Sequence, residues 1–250
     1  MNAHAFYDAV AERYDAHRGF YDSLARALVA LVPERLAPKR ILEIGAGTGF
    51  ATRVLVERFP AAEIVALEPS NAMRQRGRVA APSARWRAGT LAELGSTDGF
   101  DLIVASAAAH WLTDEEWGSL VSGAARAALA LALPLTDART ESDALPQGNY
   151  ALRNVVGSWR PSPTWNAATR RRASSRWFEA LGTDVTTAKW RLVETYAGGA
   201  ELAEALFVRG ALLALFGEDA ESARETLAGS VGPGPVDFGW SFLLIGSVPE

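Results

Sequence analysis

Residues 41 to 49 read Ile41-Leu42-Glu43-Ile44-Gly45-Ala46-Gly47-Thr48-Gly49. The apolar run from Arg40 to Ile44 ends in three glycines spaced two apart, and Phe50 to Phe59 follows with helical character, closed by Pro60. An apolar run of this length stopped by glycine predicts a buried strand, a tight turn and a helix. In such a turn glycine lets the backbone approach a ligand, because no Cβ stands in the way. The spacing is not that of the dinucleotide fingerprint, in which the third glycine stands three positions after the second. Here it stands two after. Glu43, two residues before the first glycine, is poorly placed for a pyrophosphate and suited to a cation or a hydrogen-bond donor.

The pattern repeats outward from this stretch. Glu63 to Leu67 predicts a second buried strand, ended by Glu68-Pro69-Ser70 and followed by a helix from Asn71 to Val79. Arg85 to Ala88, Asp101 to Ala105 and Leu129 to Leu135 predict three further strands, with a helix from Thr113 to Ala127 before the last. The acidic residues Asp114, Glu115 and Glu116 fall in that helix's first turn, where they suit its dipole. On the N-terminal side, Phe6 to Leu31 predicts two helices broken near Gly19, with Leu24, Leu28 and Leu31 at helical spacing. After Thr136 the rhythm changes. A loop is expected over Asp137 to Tyr150, a helix over Thr164 to Leu181, a strand over Thr186 to Tyr196, helices over Glu201 to Phe216 and Asp219 to Ala228, a turn at Gly232-Pro233-Gly234-Pro235 and a last strand over Val236 to Val248. Apolar strands alternating with helices argue an α/β fold: a Rossmann-like, seven-stranded, mostly parallel sheet with helices on both faces. Helical lid elements are expected at the N-terminus and in the C-terminal half. The chain is read as one domain, with a lid over 1–38, a cofactor-binding core over 39–135, and substrate or lid insertions plus the last two strands over 136–250.

The 250 residues include no cysteine, which excludes disulfides, thiolate metal sites and thiol nucleophiles. With only His4, His17 and His110, a histidine metal site is not expected either. A net charge of −4 gives no general attraction to nucleic acid or anionic membrane. The most apolar run, Ala127 to Leu135, falls far short of the ~20 residues of a membrane helix. Asp8, Glu12, Asp15 and Asp22 occupy the region where a secretion signal would be basic and then apolar, so a cytoplasmic location is expected.

Glu68 ends the second strand about 20 residues beyond the glycines, where ribose hydroxyls are bound in such folds. An acidic site with a ribose and no phosphate suits S-adenosylmethionine, which carries a sulfonium and an ammonium. The bare alternative is a strand-to-helix turn that holds no ligand.

Taken together, Ile41 to Phe50 resembles motif I of the class I S-adenosylmethionine-dependent methyltransferases. Leu67-Glu68-Pro69-Ser70-Asn71-Ala72-Met73 is similar to their second-strand signature. Phe100 to Ser106, with Ala109-His110-Trp111-Leu112, resembles the fourth strand and following segment of the small-molecule branch, which includes trans-aconitate and malonyl-acyl-carrier-protein methyltransferases. Phe6 to Asp15 resembles the opening of that branch. The resemblance implies that Glu43 meets the methionine amino group, that Gly45 and Gly47 give the cofactor room, and that Glu68 binds the ribose. Pro69 and Met73 would flank the adenine, with Ala105 and Trp111 completing the contacts. Thr90 and Leu91 stand where the family usually has an acidic residue near the adenine amino group. The Pro-Gly-Gly turn usual before the fifth strand is replaced by Ala124-Ala125-Arg126-Ala127-Ala128.

His110, just past the fourth strand, is a candidate base or orienting group, or else a structural partner of Trp111. Tyr14, with His17 and Arg18, stands on the segment that folds over the cofactor in relatives, and Tyr14 is a second catalytic candidate. The run Arg170-Arg171-Arg172 with Arg176 suits an acidic substrate or carrier, or a solvated helix face. Trp159, Trp165, Trp177, Phe207 and Trp240 are candidates for an apolar pocket or the core. The segment Asn149 to Pro163, with Tyr150, Arg153, Trp159 and Arg160, is read as a lid or substrate region. The expected function is methyl transfer to a small molecule, acidic or carrier-bound, with no nucleic-acid or membrane partner. The alternative is a related protein that binds the cofactor without transfer, of cyclase or regulatory type.

Overall fold

The computed structural model describes residues 3–17, 19–134, 147–158 and 183–249. The elements in chain order are α1 (Ala3–Tyr14), α2 (Tyr21–Ala30), β1 (Arg40–Ile44), α3 (Phe50–Arg58), β2 (Glu63–Leu67), α4 (Asn71–Ala80), β3 (Arg85–Arg87), α5 (Leu91–Leu94) and β4 (Leu102–Ser106). There follow α6 (Asp114–Ala124), β5 (Ala128–Pro134), α7 (Gln147–Ser158), β6 (Thr183–Gly198), α8 (Gly199–Val208), α9 (Ala211–Phe216), α10 (Ala220–Val231) and β7 (Pro233–Pro249).

The strands form one seven-stranded sheet in the order β3-β2-β1-β4-β5-β7-β6. The pairs from β3 to β5 are parallel, and β7 runs antiparallel to β5. This is the α/β, mostly parallel architecture that the alternating pattern predicts. Strand order reverses between β1 and β4: β2 and β3 extend one way, β4 and β5 the other. In such sheets ligands bind at the carboxyl ends of the strands flanking that reversal.

By compactness the chain divides into two units. One holds residues 18–134, 171–190 and 242–250; the other holds 1–17, 135–170 and 191–241. Boundaries therefore fall at 17/18, 134/135, 170/171, 190/191 and 241/242, and α1 and α2 belong to different units.

In the unit that carries β1 to β5, strands β1, β2, β4 and β5 are buried along almost their whole length, as expected of a sheet covered on both faces, whereas the edge strand β3 exposes Arg85 and Arg87. Leu42, Ile44, Val65, Leu67, Ile103 and Ala105 join one core with Trp117, Leu120, Val121 and Ala124 of α6. Helix α2 packs on α3 and on β4 and β5, burying Leu24 and Leu28. The chain from α6 to β5 needs no glycine turn: Arg126 and Ala127 both donate to the Gly123 carbonyl, and Ala128 starts the strand. Helix α4 is fixed to the sheet edge by Trp86. Its Nε1 donates to the Ala81 carbonyl at 3.0 Å, and its ring lies under the backbone of Gly77.

In the other unit, α8 packs on α10, α1 on α8, and α7 on α10. A polar network is buried there: Arg209 Nη1 donates to Glu194 at 2.7 Å and to the Tyr196 hydroxyl at 3.0 Å, and Trp240 Nε1 donates to the same hydroxyl at 3.2 Å. Burial pushes the Tyr196 hydroxyl above its ordinary range.

The turn expected at Gly232-Pro233-Gly234-Pro235 falls largely within β7, which starts at Pro233, and three further differences from the sequence expectation have local causes. The single helix expected over Glu201 to Phe216 is two, because Gly210 adopts φ +78° and starts α9 afresh. Gln147 to Tyr150, expected as loop, begin α7, where Asn149 exchanges two hydrogen bonds with the backbone of Gly239. The short helix α5 was not expected; its capping box, with Thr90 and Glu93 each satisfying the other's backbone, was visible as Thr-x-x-Glu. The expected helix over Thr164 to Leu181 lies outside the described residues.

A single methyl tests the α4–β3 packing. Gly→Ala inside a helix ordinarily stabilises by up to ~1 kcal/mol. At Gly77 the new Cβ would lie 2.1 Å from the Trp86 ring. Overpacking of about 1–3 kcal/mol should prevail, so Gly77→Ala is expected to lower the unfolding midpoint. A raised midpoint would contradict the packing described.

Candidate functional site

The ends of β1 and β2 bring two carboxylates together. Register pairs Glu43 with Ala66 and Ile44 with Leu67, so the glycine turn and the Glu68 turn leave the sheet side by side. The Ala46 amide donates to the Leu67 carbonyl at 3.1 Å. Gly45, Gly47 and Gly49 all have positive φ, which accounts for glycine at each. Their surroundings differ. A Cβ on Gly45 would lie 2.5 Å from that of Ala108, so this glycine makes room for the segment after β4. A Cβ on Gly47 would meet nothing within 4 Å, so the turn is open there.

Glu43 is 2% exposed, and its Oε2 has no hydrogen-bond partner among the described residues. The buried hydroxyls of Thr48 and Thr52, on the turn and first helical turn beyond it, are likewise without partners. Burial pushes the Glu43 carboxyl up to about 8; the nearby Thr52 opposes the rise and the Glu68 carboxylate adds to it. An unmet buried carboxyl oxygen costs about 1–3 kcal/mol or more.

Glu68 is fixed from both sides. Its Oε2 accepts from the Gly47 amide and its Oε1 from the Ser70 amide, each at 2.8 Å. Ser70 caps α4 by accepting from the Met73 amide at 3.2 Å; Met73 is buried and Pro69 half-buried.

On the far side of β2, the Thr90 hydroxyl accepts from the Glu93 amide at 3.4 Å, capping α5. Leu91 is buried in the core, as is Ala105 of β4. Glu116 joins this corner to α6: its carboxylate accepts from the Ala92 and Thr113 amides at 3.1 and 2.9 Å. Burial alone would raise its pKa, but these amides and the Thr113 and Thr90 hydroxyls hold it below the ordinary range.

After β4, Ala107 has φ +54°, the one described non-glycine residue in the left-handed region, and its amide donates to the Ala132 carbonyl at 3.1 Å. That bend brings Ala108 to Gly45. His110 and Trp111 follow in a single 3-10 turn, half-buried, with ring centroids 5.0 Å apart. Tyr14 lies in the other unit, at the end of α1, with its ring edge-on to Tyr7 at 6.1 Å.

The fold thus gathers Glu43, Gly45, Gly47, Glu68, Pro69, Met73 and the His110–Trp111 turn at the strand ends of one unit. Phe207 and Trp240 are buried in the other unit. Arg18, Trp159, Arg160, Trp165, Arg170, Arg171, Arg172, Arg176 and Trp177, and the side chains of His17 and Arg153, lie outside the described residues. Sequence reasoning missed Thr48, Thr52, Arg74 and Ala108. For Arg74 a signal existed: it shares the inward α4 positions with Met73 and Gly77, at helical spacing.

A family described as "Methyltransferase domain" matches residues 41–129. The chain is 31% identical to a trans-aconitate 2-methyltransferase of Methylobacterium nodulans over 219 residues, covering 82% of this chain and 80% of that protein. This chain belongs to the class I S-adenosylmethionine-dependent methyltransferase family. Over 113 residues it is 40% identical to a malonyl-[acyl-carrier protein] O-methyltransferase of Halorhodospira halophila, covering 43% of this chain and 38% of that one. Against several such relatives the match spans only about two fifths of their length. The YcgJ protein of Bacillus subtilis shares the fold, with a TM-score of 0.55 at 19% identity over 90% of this chain and 98% of that one.

The Glu43 carboxyl has a measurable consequence in the ligand-free methyltransferase. Its pKa rises on folding from about 4.5 to about 8, so the folded state holds the proton more tightly across that window. Stability therefore falls as pH rises from about 4.5 to 8. Glu43→Gln removes this dependence, so the variant should gain stability over the wild type at pH 8.5 relative to pH 5. Urea midpoints at the two pH values measure it; a pH-independent difference would contradict the buried, unmet carboxyl.

Proposed function

We propose that the protein transfers a methyl group from S-adenosylmethionine to a small molecule or a carrier-bound acid. The observation that carries this reading is the buried Glu43 oxygen without a partner, beside a glycine turn that opens at Gly47. The residues fit the cofactor. Glu43 would hold the ammonium end, Gly47 would leave space for the chain that joins it to the ribose, and Glu68 would accept from ribose hydroxyls. Pro69 and Met73 would border the adenine, with Leu91, Ala105 and Trp111 behind them. When bound, S-adenosylmethionine supplies an electrophilic methyl on a positively charged sulfur.

The names of the relatives support an acidic acceptor, since trans-aconitate and a malonyl group both carry carboxylates. They also favour transfer over a binding-only role. A carboxylate is ionised at neutral pH and needs no base. What remains for the protein is to align the acceptor with the methyl, and such alignment supplies up to ~7–11 kcal/mol in well-oriented cases. His110 then orients the acceptor or walls the site and does not remove a proton. No nucleic-acid partner and a cytoplasmic location go with this reading; the net charge of −4 supports the first.

Calorimetry with S-adenosylmethionine tests the binding half. The wild type should bind, and Gly47→Val should lose binding while keeping its fold, because the new side chain enters the open side of the turn. A folded Gly47→Val variant with wild-type affinity would place the ligand elsewhere. Release of S-adenosylhomocysteine with trans-aconitate or a malonyl thioester tests the other half. His110→Ala should lower turnover less than about tenfold and leave its pH profile unchanged. A loss of ~10²–10⁴-fold would instead identify His110 as a general base.

A further inference from the structure

Arg74 is a buried cation that the site as described does not use. It sits in the first turn of α4 at 9% exposure, and among the described residues no carboxylate forms an ion pair with it. Its side chain folds back on the preceding turn. Nη1 donates to the carbonyl oxygens of Glu68 at 2.7 Å, Pro69 at 3.3 Å and Ser70 at 3.3 Å, and Nη2 donates to Asn71 Oδ1 at 2.9 Å; Nε has no partner among the described residues. A guanidinium out of water is costly unless its donors are met. Here three successive carbonyls meet it, so the charge is spent on one short piece of backbone.

That piece carries Glu68. Its carbonyl side is held by Arg74, and its carboxylate is held by the Gly47 and Ser70 amides. We infer that Arg74 is a positioning residue: it fixes the Glu68–Ser70 backbone so that the Glu68 carboxylate faces the ribose hydroxyls of the bound cofactor. This rests on the cofactor placement proposed above. Arg74 acts through Glu68 and touches neither cofactor nor acceptor. An apolar residue would fill the same inward position of α4 but would leave the three carbonyls without their common donor. The turn could then relax, and with it the aim of the carboxylate.

The test separates aim from general stability by using the ribose itself. S-adenosylhomocysteine and its 2′-deoxyribose analogue are titrated calorimetrically into the wild type, Arg74→Met, Glu68→Gln and the double variant. The wild type should prefer the ribose ligand. Arg74→Met should weaken it by roughly ten- to a hundredfold, the equivalent of one charge-assisted hydrogen bond, and should weaken the deoxy analogue by about threefold at most. In the Arg74→Met background, Glu68→Gln should add little. Arg74→Lys keeps a cation and a donor for the Glu68 carbonyl and should recover part of the preference; it also serves should Arg74→Met fail to fold. Equal weakening of both ligands, or an unchanged preference in either folded variant, overturns the inference. A wild type that binds neither ligand overturns the cofactor placement itself.

Discussion

Glu43 sets the terms for the rest of the site. A carboxyl group at 2% exposure, on a strand flanked by parallel neighbours on both sides, leaves one of its oxygens without a hydrogen-bond partner among the described residues. Burial drives it toward the protonated form, with a pKa of about 8, and the nearby Glu68 pushes the same way. A sequence that needed only stability would place a hydrophobic side chain there, as Leu42 and Ile44 are on either side. The unmet oxygen has a purpose only if a cation or donor arrives from outside, and the adjacent turn, open at Gly47, is where it can arrive.

Several local features are arranged around that opening. The strand-order reversal between β1 and β4 leaves a crevice at their carboxyl ends. The left-handed bend at Ala107 brings Ala108 against Gly45 and closes the crevice on one side. On the other side, Glu68 is tied to Gly47 and Ser70, and the turn bearing it is tied to Arg74. On the far side of β2, two capping boxes, at Thr90 and Thr113, are joined through Glu116. The two ends of the site differ in character: Glu43 waits for a partner, whereas Glu68 is already aimed by backbone donors. A ligand therefore gains most at the Glu43 end, where a buried carboxyl oxygen goes from unmet to hydrogen-bonded.

Much of this was legible in the sequence, for identifiable reasons. Strand runs such as Ile41–Ile44 and Leu102–Ala105 are apolar throughout, and buried parallel strands require that. Glycines 45, 47 and 49 sit at positive φ, which other residues adopt rarely. The two carboxylates stood out because they end apolar strands. Other features were hidden. The close approach at Gly45, whose Cβ would lie 2.5 Å from that of Ala108, 63 residues away, is a contact no local pattern encodes. Arg74 resembles any surface arginine until its spacing with Met73 and Gly77 is noticed. The Thr90 hydroxyl, considered for the adenine, is drawn into a helix cap that its own Thr-x-x-Glu spacing announces. The break at Gly210 could not be separated from an interior helical glycine, since its positive φ is set by packing in the folded chain.

The central claim is that the buried Glu43 carboxyl exists to meet the positively charged end of the cofactor. A crystal structure of the wild-type protein with S-adenosylhomocysteine tests it most directly. The account predicts the ligand's ammonium within hydrogen-bond distance of Glu43 Oε2 and its ribose hydroxyls on Glu68, with the linking chain passing over Gly47. A ligand bound with its ammonium away from Glu43, or with the space over Gly47 filled only by water, would contradict it.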